Sequence, residues 1–325
     1  MRRIRLMFHH TGKGRNGTKE HFWHFMLGYL LPSVHHVLQY YDGDATSQWQ
    51  LVFDHCGPVM NPLTEEIANL FSWNYAIAIE HNTEAENWDE VVLIPRWDHL
   101  LRHSAFFLTG RKRLVTEYSI RKLDTFWEQV YKGLGIARQS ARFRKVLLQT
   151  RAAILAKITN LTREEQPAVL LLNRSEMPRY YAPEGGAVRK GYGHSRRALL
   201  GLEEGQQMLE KRGVTARVFE PGTYSLVTQI RAFYNAKGIV AIRGAELANL
   251  LWLKPGREVH IINTIEKPAF HLFNYTCVLR LRLVEKTATN QFPNFKDFDL
   301  PKLLESYAQR CFLPEYLTAF SLRNL

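Results

Sequence analysis

Arg243, Gly244, Ala245 and Glu246, with Asn249 one turn further on, have the residue types and order to hold an anion. They follow the apolar run Ile239 to Ile242, which has strand length and is rich in β-branched residues. Beyond Glu246, Leu247, Leu250 and Leu251 recur at helical spacing, and Lys254-Pro255-Gly256 supplies the stop. A strand, a tight turn and a short helix in that order aim unpaired backbone N–H groups and a positive helix end at whatever lies above the strand. Gly244 lets a ligand approach the backbone closely, and Arg243 adds a charge able to grip a phosphate at two oxygens. Asn249 is placed to bind a phosphate or a sugar hydroxyl, or to cap and pack locally. Glu246 would be repelled by a phosphate and is better suited to accept from a sugar or ribose hydroxyl. The same pattern also fits an ordinary βα unit with Arg243 solvated at the strand end.

A second cation of this kind, Arg174, follows the fully apolar strand candidate Ala168 to Leu172. Arg189, Lys190, Arg196 and Arg197 are reserve phosphate ligands, although a charge run is usually a solvated face.

The run from Arg217 to Gly256 resembles the C-terminal half of glycosyltransferase family 61, whose members include O-linked N-acetylglucosaminyl and xylosyl transferases and bacterial capsule and lipopolysaccharide enzymes. Gly244, Ala245, Leu247, Asn249, Leu250 and Leu251 match the family's H-G-A-G-L-x-N-L-L-F pattern, and Arg174 matches the Arg of its L-L-x-x-R strand. Arg243 stands where the family usually has His, and Glu246 where it has Gly. The resemblance covers roughly residues 168 to 263 well and the earlier part loosely. It implies an α/β protein of GT-B-like arrangement, two Rossmann-like domains facing across a cleft. The nucleotide-sugar would sit mainly on the C-terminal domain and the acceptor on the N-terminal one. It also implies an inverting, metal-independent transfer, with a UDP-sugar the expected co-substrate and a glycan or lipid-linked saccharide the acceptor.

Such a transfer must stabilise the charge building on the departing diphosphate and must take the proton of the acceptor hydroxyl. Asp42-Gly-Asp44 has metal-binding spacing but sits in a polar, turn-like stretch and reads as a surface loop, so no metal is expected. Arg174, Arg243 and the amides from Gly244 to Glu246 are the alternative, each charge-assisted hydrogen bond contributing about 1.5–3 kcal/mol. The proton acceptor should be a His, Asp or Glu on the first domain. His24, in Glu20-His-Phe-Trp-His24-Phe-Met-Leu, resembles the family's aromatic-rich H-W-L helix, and it reads equally as a satisfied histidine on an apolar helix. Asp54, beside His55 after a strand, and Asp98, after Ile94-Pro-Arg-Trp, are rival bases. No spacing rule chooses among them.

These residues need a scaffold that brings strand ends together. At 325 residues the chain has room for two domains, taking about 150 residues for each, and the expected division is 1–160 and 161–325. Strand candidates are Ile4 to Phe8, Gln50 to Asp54, Tyr75 to Glu80 and Val91 to Pro95 in the first, and Ala168 to Leu172, Thr215 to Phe219, Ile239 to Ile242 and Val259 to Asn263 in the second. Helices are expected from Thr64 to about Phe71, Glu117 to Leu134, Leu199 to Arg212, Ser225 to Ala236 and Pro301 to Ala308, the last residues packing back on the first domain. Gly12 to Gly17 is a weak phosphate-loop candidate. Arg138 to Lys157 is a basic stretch expected to present a solvated or phosphate-facing side.

Hydrophobic content of 46% excludes a disordered chain, and the formal net charge of +12 favours anionic partners. Cys56, Cys277 and Cys311 are scattered, which suggests neither a disulfide framework nor a zinc site and fits a reducing compartment. With no apolar run long enough for a span, the expectation is a soluble, cytoplasmic protein with peripheral membrane contact. Two other classes fit less well: a polysaccharide pyruvyltransferase-like GT-B enzyme, and a basic nucleic-acid-binding protein. No nucleic-acid motif is found, and the basic residues are spread over both halves, so no nucleic acid is expected.

Overall fold

The computed structural model describes residues 1–9, 19–41, 48–78, 88–102, 140–161, 167–176, 197–264 and 270–311. The helix expected from Glu117 to Leu134, the Gly12–Gly17 loop, Asp42, Asp44, Arg189, Lys190 and Arg196 lie outside them.

Two parallel sheets carry the chain. The first holds β1 (Arg2–Phe8), β2 (Trp49–Phe53), β3 (Tyr75–Ile77) and β4 (Glu90–Ile94) in the order β3-β2-β1-β4. The second holds β5 (Val169–Leu172), β6 (Ala216–Phe219), β7 (Gly238–Ile242), β8 (Glu258–Asn263) and β9 (Arg282–Thr287) in the order β6-β5-β7-β8-β9. In each sheet the chain first runs outward from its opening strand, then returns to that strand's other side. The reversal falls between β1 and β4 in the first sheet and between β5 and β7 in the second. The carboxyl ends of the strands flanking such a reversal are where open α/β sheets bind ligands. Two Rossmann-like α/β units are therefore what the sequence folds into.

The lack of alternation in β5 has a direct cause. Leu170 and Leu172 enter a buried cluster with Leu6, Phe8, Trp23 and Phe233, whereas Val169 and Leu171 enter another with Leu202, Leu209 and Phe295. With both faces covered, no position is left for a polar residue. The first cluster continues from Ile4 and Phe25 to Leu247 and Leu251, so the two units share one apolar core.

The basic stretch forms helix α5 (Ser140–Lys157), counted after α1 (Phe22–Phe25), α2 (Leu31–Tyr40), α3 (Asn61–Leu70) and α4 (Trp97–Arg102). It is not simply a solvated face. Arg144 Nε donates to the Val278 carbonyl at 2.8 Å, near the end of a helix (Phe270–Leu279) on the second unit. Arg151 Nη2 donates to the Trp252 and Leu253 carbonyls at 3.3 and 2.8 Å, where the helix of the anion junction stops. Cations at helix carboxyl ends satisfy the orphan carbonyls and complement the dipole. At the start of the last described helix, Leu300–Cys311, Leu300 and Leu303 bury in the second unit's own cluster; the residues after Cys311, also expected to pack back on the first domain, lie outside the described ones. The sequence reading assigns no element to β9 or to Phe270–Leu279. The first is a charged edge strand, Arg-Leu-Val-Glu-Lys-Thr, and the second is apolar without a clear stripe.

Candidate functional site

At the reversal of the first sheet, the chain leaves β4 through Pro95 and Arg96 into α4, whose first turn carries Asp98. His24, on α1, reaches the same point. Asp98 is fully buried, and its Oδ2 lies 2.6 Å from His24 Nδ1. Arg96 takes both oxygens of that carboxylate, Nε to Oδ1 at 3.1 Å and Nη2 to Oδ2 at 2.7 Å. Burial works against the charge on Asp98, but hydrogen bonds from His24 and Arg96, with the charges of Arg96 and His99, outweigh it. They hold the carboxyl well below the usual carboxylate range. An ionised carboxylate only accepts, so His24 Nδ1 carries the proton of this contact. The 3.3 Å approach of Arg96 Nη2 to His24 Nδ1 is then two donors converging on one oxygen.

The segment after α1 is a π turn, Met26–Leu30, of the kind that often marks functional sites. A Cβ on Gly28 would stand 2.8 Å from Asp98 Oδ1 and 3.4 Å from Arg96 Nε, so the glycine makes room for the ion pair.

Asp54 has a different setting. It forms an ion pair with Arg5, accepts from the Phe8 amide at 2.8 Å, and its own amide donates to the Tyr29 hydroxyl at 2.5 Å. That hydroxyl in turn donates to the Leu6 carbonyl at 2.6 Å. With its carboxylate committed to β1, Asp54 ties β1, β2 and the π turn together, apart from the His24–Asp98 pair. Of the three candidate bases, the structure brings His24 and Asp98 together and places Asp54 elsewhere.

At the reversal of the second sheet stand Arg174, two residues beyond β5, and Gly244, two beyond β7. Arg174 is buried and pairs through Nε with Glu246 Oε1 at 3.4 Å. A Cβ on Gly244 would overlap the Glu246 carboxylate and come within 3.6 Å of Arg174 Nε, so backbone, cation and carboxylate share one small space. The helix that follows, Ala245–Trp252, is of the tighter three-residue kind, with Gly244 extended at its N-cap.

Arg243 does not take the position its place in the sequence suggests. Its guanidinium lies along the strand ends, Nη1 donating to Asn263 Oδ1 at 3.3 Å, and Asn263 Nδ2 donates to Glu285 at 2.7 Å. Burial lowers its pKa below the ordinary guanidinium range, with Glu285 opposing that shift. Arg197, a reserve phosphate ligand in the sequence reading, donates to the Arg243 carbonyl at 3.1 Å. Asn249 takes the second of its two readings. It is fully buried, its Nδ2 donating to Gln229 Oε1 at 2.8 Å and its Oδ1 accepting from Trp252 Nε1 at 3.2 Å. Both ends of the amide serve the core, so local packing is its role.

The sequence profile described as Glycosyltransferase 61 matches residues 22–260. The chain belongs to glycosyltransferase family 61. The matched stretch runs from α1, through β2 to β7, into β8 of this family-61 glycosyltransferase. Among solved structures, E. coli heptosyltransferase WaaC with ADP is similar at 13% identity, with a TM-score of 0.37, over 95% of this chain and 98% of that one. No curated protein matches the chain.

Arg96 and Gly28 of the glycosyltransferase are the residues that sequence reasoning missed. A signal for Arg96 existed: Arg-x-Asp directly after an apolar strand and a proline places a cation and a carboxylate together at a strand end. Gly28 offered none, since a glycine in an apolar helix-like run carries no mark of what approaches it. Among the described residues, no helix is long and apolar enough to cross a membrane.

Proposed function

We propose that this glycosyltransferase moves a sugar, with inversion and without a metal ion, from a nucleotide-sugar to a hydroxyl of a glycan or lipid-linked saccharide, a UDP-sugar being the first donor to try. The observation that carries the reading is a packing contact between the two units: α1, which bears His24, lies against the Ala245–Trp252 helix that begins at Gly244. A candidate proton acceptor and a candidate leaving-group site, each at the reversal of its own sheet, are thereby neighbours.

In a single displacement the acceptor oxygen attacks the anomeric carbon from the side opposite the departing phosphate. His24 takes the hydroxyl proton at Nε2, while Asp98 holds Nδ1–H and so fixes the ring's tautomer and direction. Asp98, buried and already accepting from two residues, acts through His24. On the other side, Arg174 and the amides at the start of the Ala245–Trp252 helix meet the charge growing on the diphosphate, with Arg243 at the rim. Glu246 then either accepts from a donor hydroxyl or gives way to the phosphate. Family membership favours sugar transfer over pyruvyl transfer and nucleic-acid binding. The net charge of +12 suits an acceptor at an anionic lipid surface in the cytoplasm.

The test is direct. The protein is incubated with single UDP-, GDP- and CMP-sugars, and nucleotide release and thermal shift are measured, with and without EDTA. Release from one donor, unchanged by EDTA and lost in H24N, is expected. Silence with every donor, or activity that EDTA abolishes, removes the proposal or its metal-independent part, respectively.

A further inference from the structure

We infer that Arg96 is a positioning residue for the transfer: by gripping both oxygens of Asp98, it lets that carboxylate orient His24 without also drawing a second proton onto the ring. This rests on the reading of His24 as the base.

A carboxylate buried beside an imidazole has two ways to balance its charge. It can pair with an imidazolium, or with a separate cation that leaves the imidazole neutral. Only the second leaves a lone pair on the ring able to take a proton from a sugar hydroxyl. Arg96 is that separate cation. It is buried, it holds Asp98 at two points, and its guanidinium lies 4.9 Å from the centre of the Phe8 ring. The planar fork fixes the carboxylate plane, and with it the direction of the 2.6 Å contact to His24. The close fit of Gly28 against Asp98 Oδ1 and Arg96 Nε shows the π turn built around this ion pair. Other titratable side chains on the ring's own segment and on the elements packed around it include Glu20, His21, Tyr29, His99, Glu246, His271 and Tyr275. They are unchanged in the test variants.

The experiment compares wild type, R96Q, R96K and H24N, measuring kcat and the donor KM for nucleotide release from pH 5.5 to 9. Removing the cation leaves Asp98 to hold the imidazolium, so R96Q should lose about tenfold in kcat at pH 6.5 and recover most of it by pH 8.5. Donor KM should stay within about twofold, and R96K, which keeps the charge but not the fork, should fall between R96Q and wild type. A loss of the same size at every pH, following the fall in melting temperature, marks Arg96 as merely structural and overturns the inference. Should R96Q not fold, the same comparison is made on R96K, where an unshifted pH profile overturns it. Full activity in H24N removes the underlying base reading. An inactive H24N with an unshifted R96Q profile removes only the role given to Arg96.

Discussion

Glu66, on α3 of the first unit, closes the amino end of the helix that begins at Leu226 in the second: its two carboxylate oxygens accept from the Leu226 and Val227 amides at 2.6 and 2.8 Å. A carboxylate from another unit thus supplements the helix's own cap, Ser225, whose hydroxyl accepts from the Thr228 amide. Anions at helix amino ends satisfy orphan N–H groups and complement the dipole. Together with Arg144 and Arg151 reaching the carboxyl ends of two other helices of the second unit, this makes helix termini points of polar fastening between the units.

Glu66→Gln should keep the fold but weaken this fastening by about 1 kcal/mol, and Glu66→Ala by up to about 2 kcal/mol. Chemical denaturation followed by circular dichroism measures it. A variant as stable as wild type would mean that the contact contributes nothing to the union of the two units.

Arg174 and Glu246 should act in opposite directions on nucleotide binding. Arg174→Gln removes the buried cation beside Gly244 and should weaken UDP binding by about tenfold or more. Glu246→Gln removes a negative charge from the same space and should tighten it roughly three- to tenfold. Titration calorimetry with the nucleoside diphosphate reads both. Weaker binding in E246Q would instead mark Glu246 as a partner of a donor hydroxyl.

Asn249→Leu should destabilise the protein by about 2–3 kcal/mol, because it leaves the Gln229 and Trp252 polar groups buried and unpaired. Nucleotide affinity in the folded fraction should hold within about twofold, in contrast to the Arg174 variant. An affinity loss equal to that of R174Q would return Asn249 to the binding site.

His36 should make the fold acid-sensitive. It is buried against Tyr40 and Tyr41, and both ring nitrogens lack a hydrogen-bond partner. Burial pushes its pKa down to about 4, with Glu90 opposing and His35 adding to the shift. A depressed imidazole pKa means that the neutral ring is favoured in the folded state. Its contribution is complete above the unfolded value near 6.5 and is lost as pH falls from there toward about 4. His36→Phe should therefore remove about 2 kcal/mol of the difference between pH 7 and pH 5, read from urea midpoints at the two values. An unaltered pH dependence would show that His36 is not the group responsible.

Much of this molecule is written locally in its sequence. Ala168 to Leu172 reads as a doubly covered strand, and Ile239 to Trp252 reads as strand, turn and helix, because residue type constrains dihedral angles and apolar spacing reports the face to be buried. Arg174 and Gly244 could be picked out for the same reason, since both are fixed by their distance from a strand end. The choice between Asp54 and Asp98 could not be made this way. Each follows a strand of the first sheet, and each lies near an arginine in the fold. Only the order β3-β2-β1-β4 puts Asp54 beside Arg5, and the return of the chain to the far side of β1 brings Asp98, with its sequence neighbour Arg96, beside His24. His24 and Asp98 stand 74 residues apart in sequence. No local pattern encodes their meeting, because it comes from strand order and from the packing of α1, both settled by long-range burial. The same limit explains Arg243 and Asn249. Their positions in the junction were legible, but whether each side chain faced ligand, strand ends or core depended on neighbours that only the folded chain supplies.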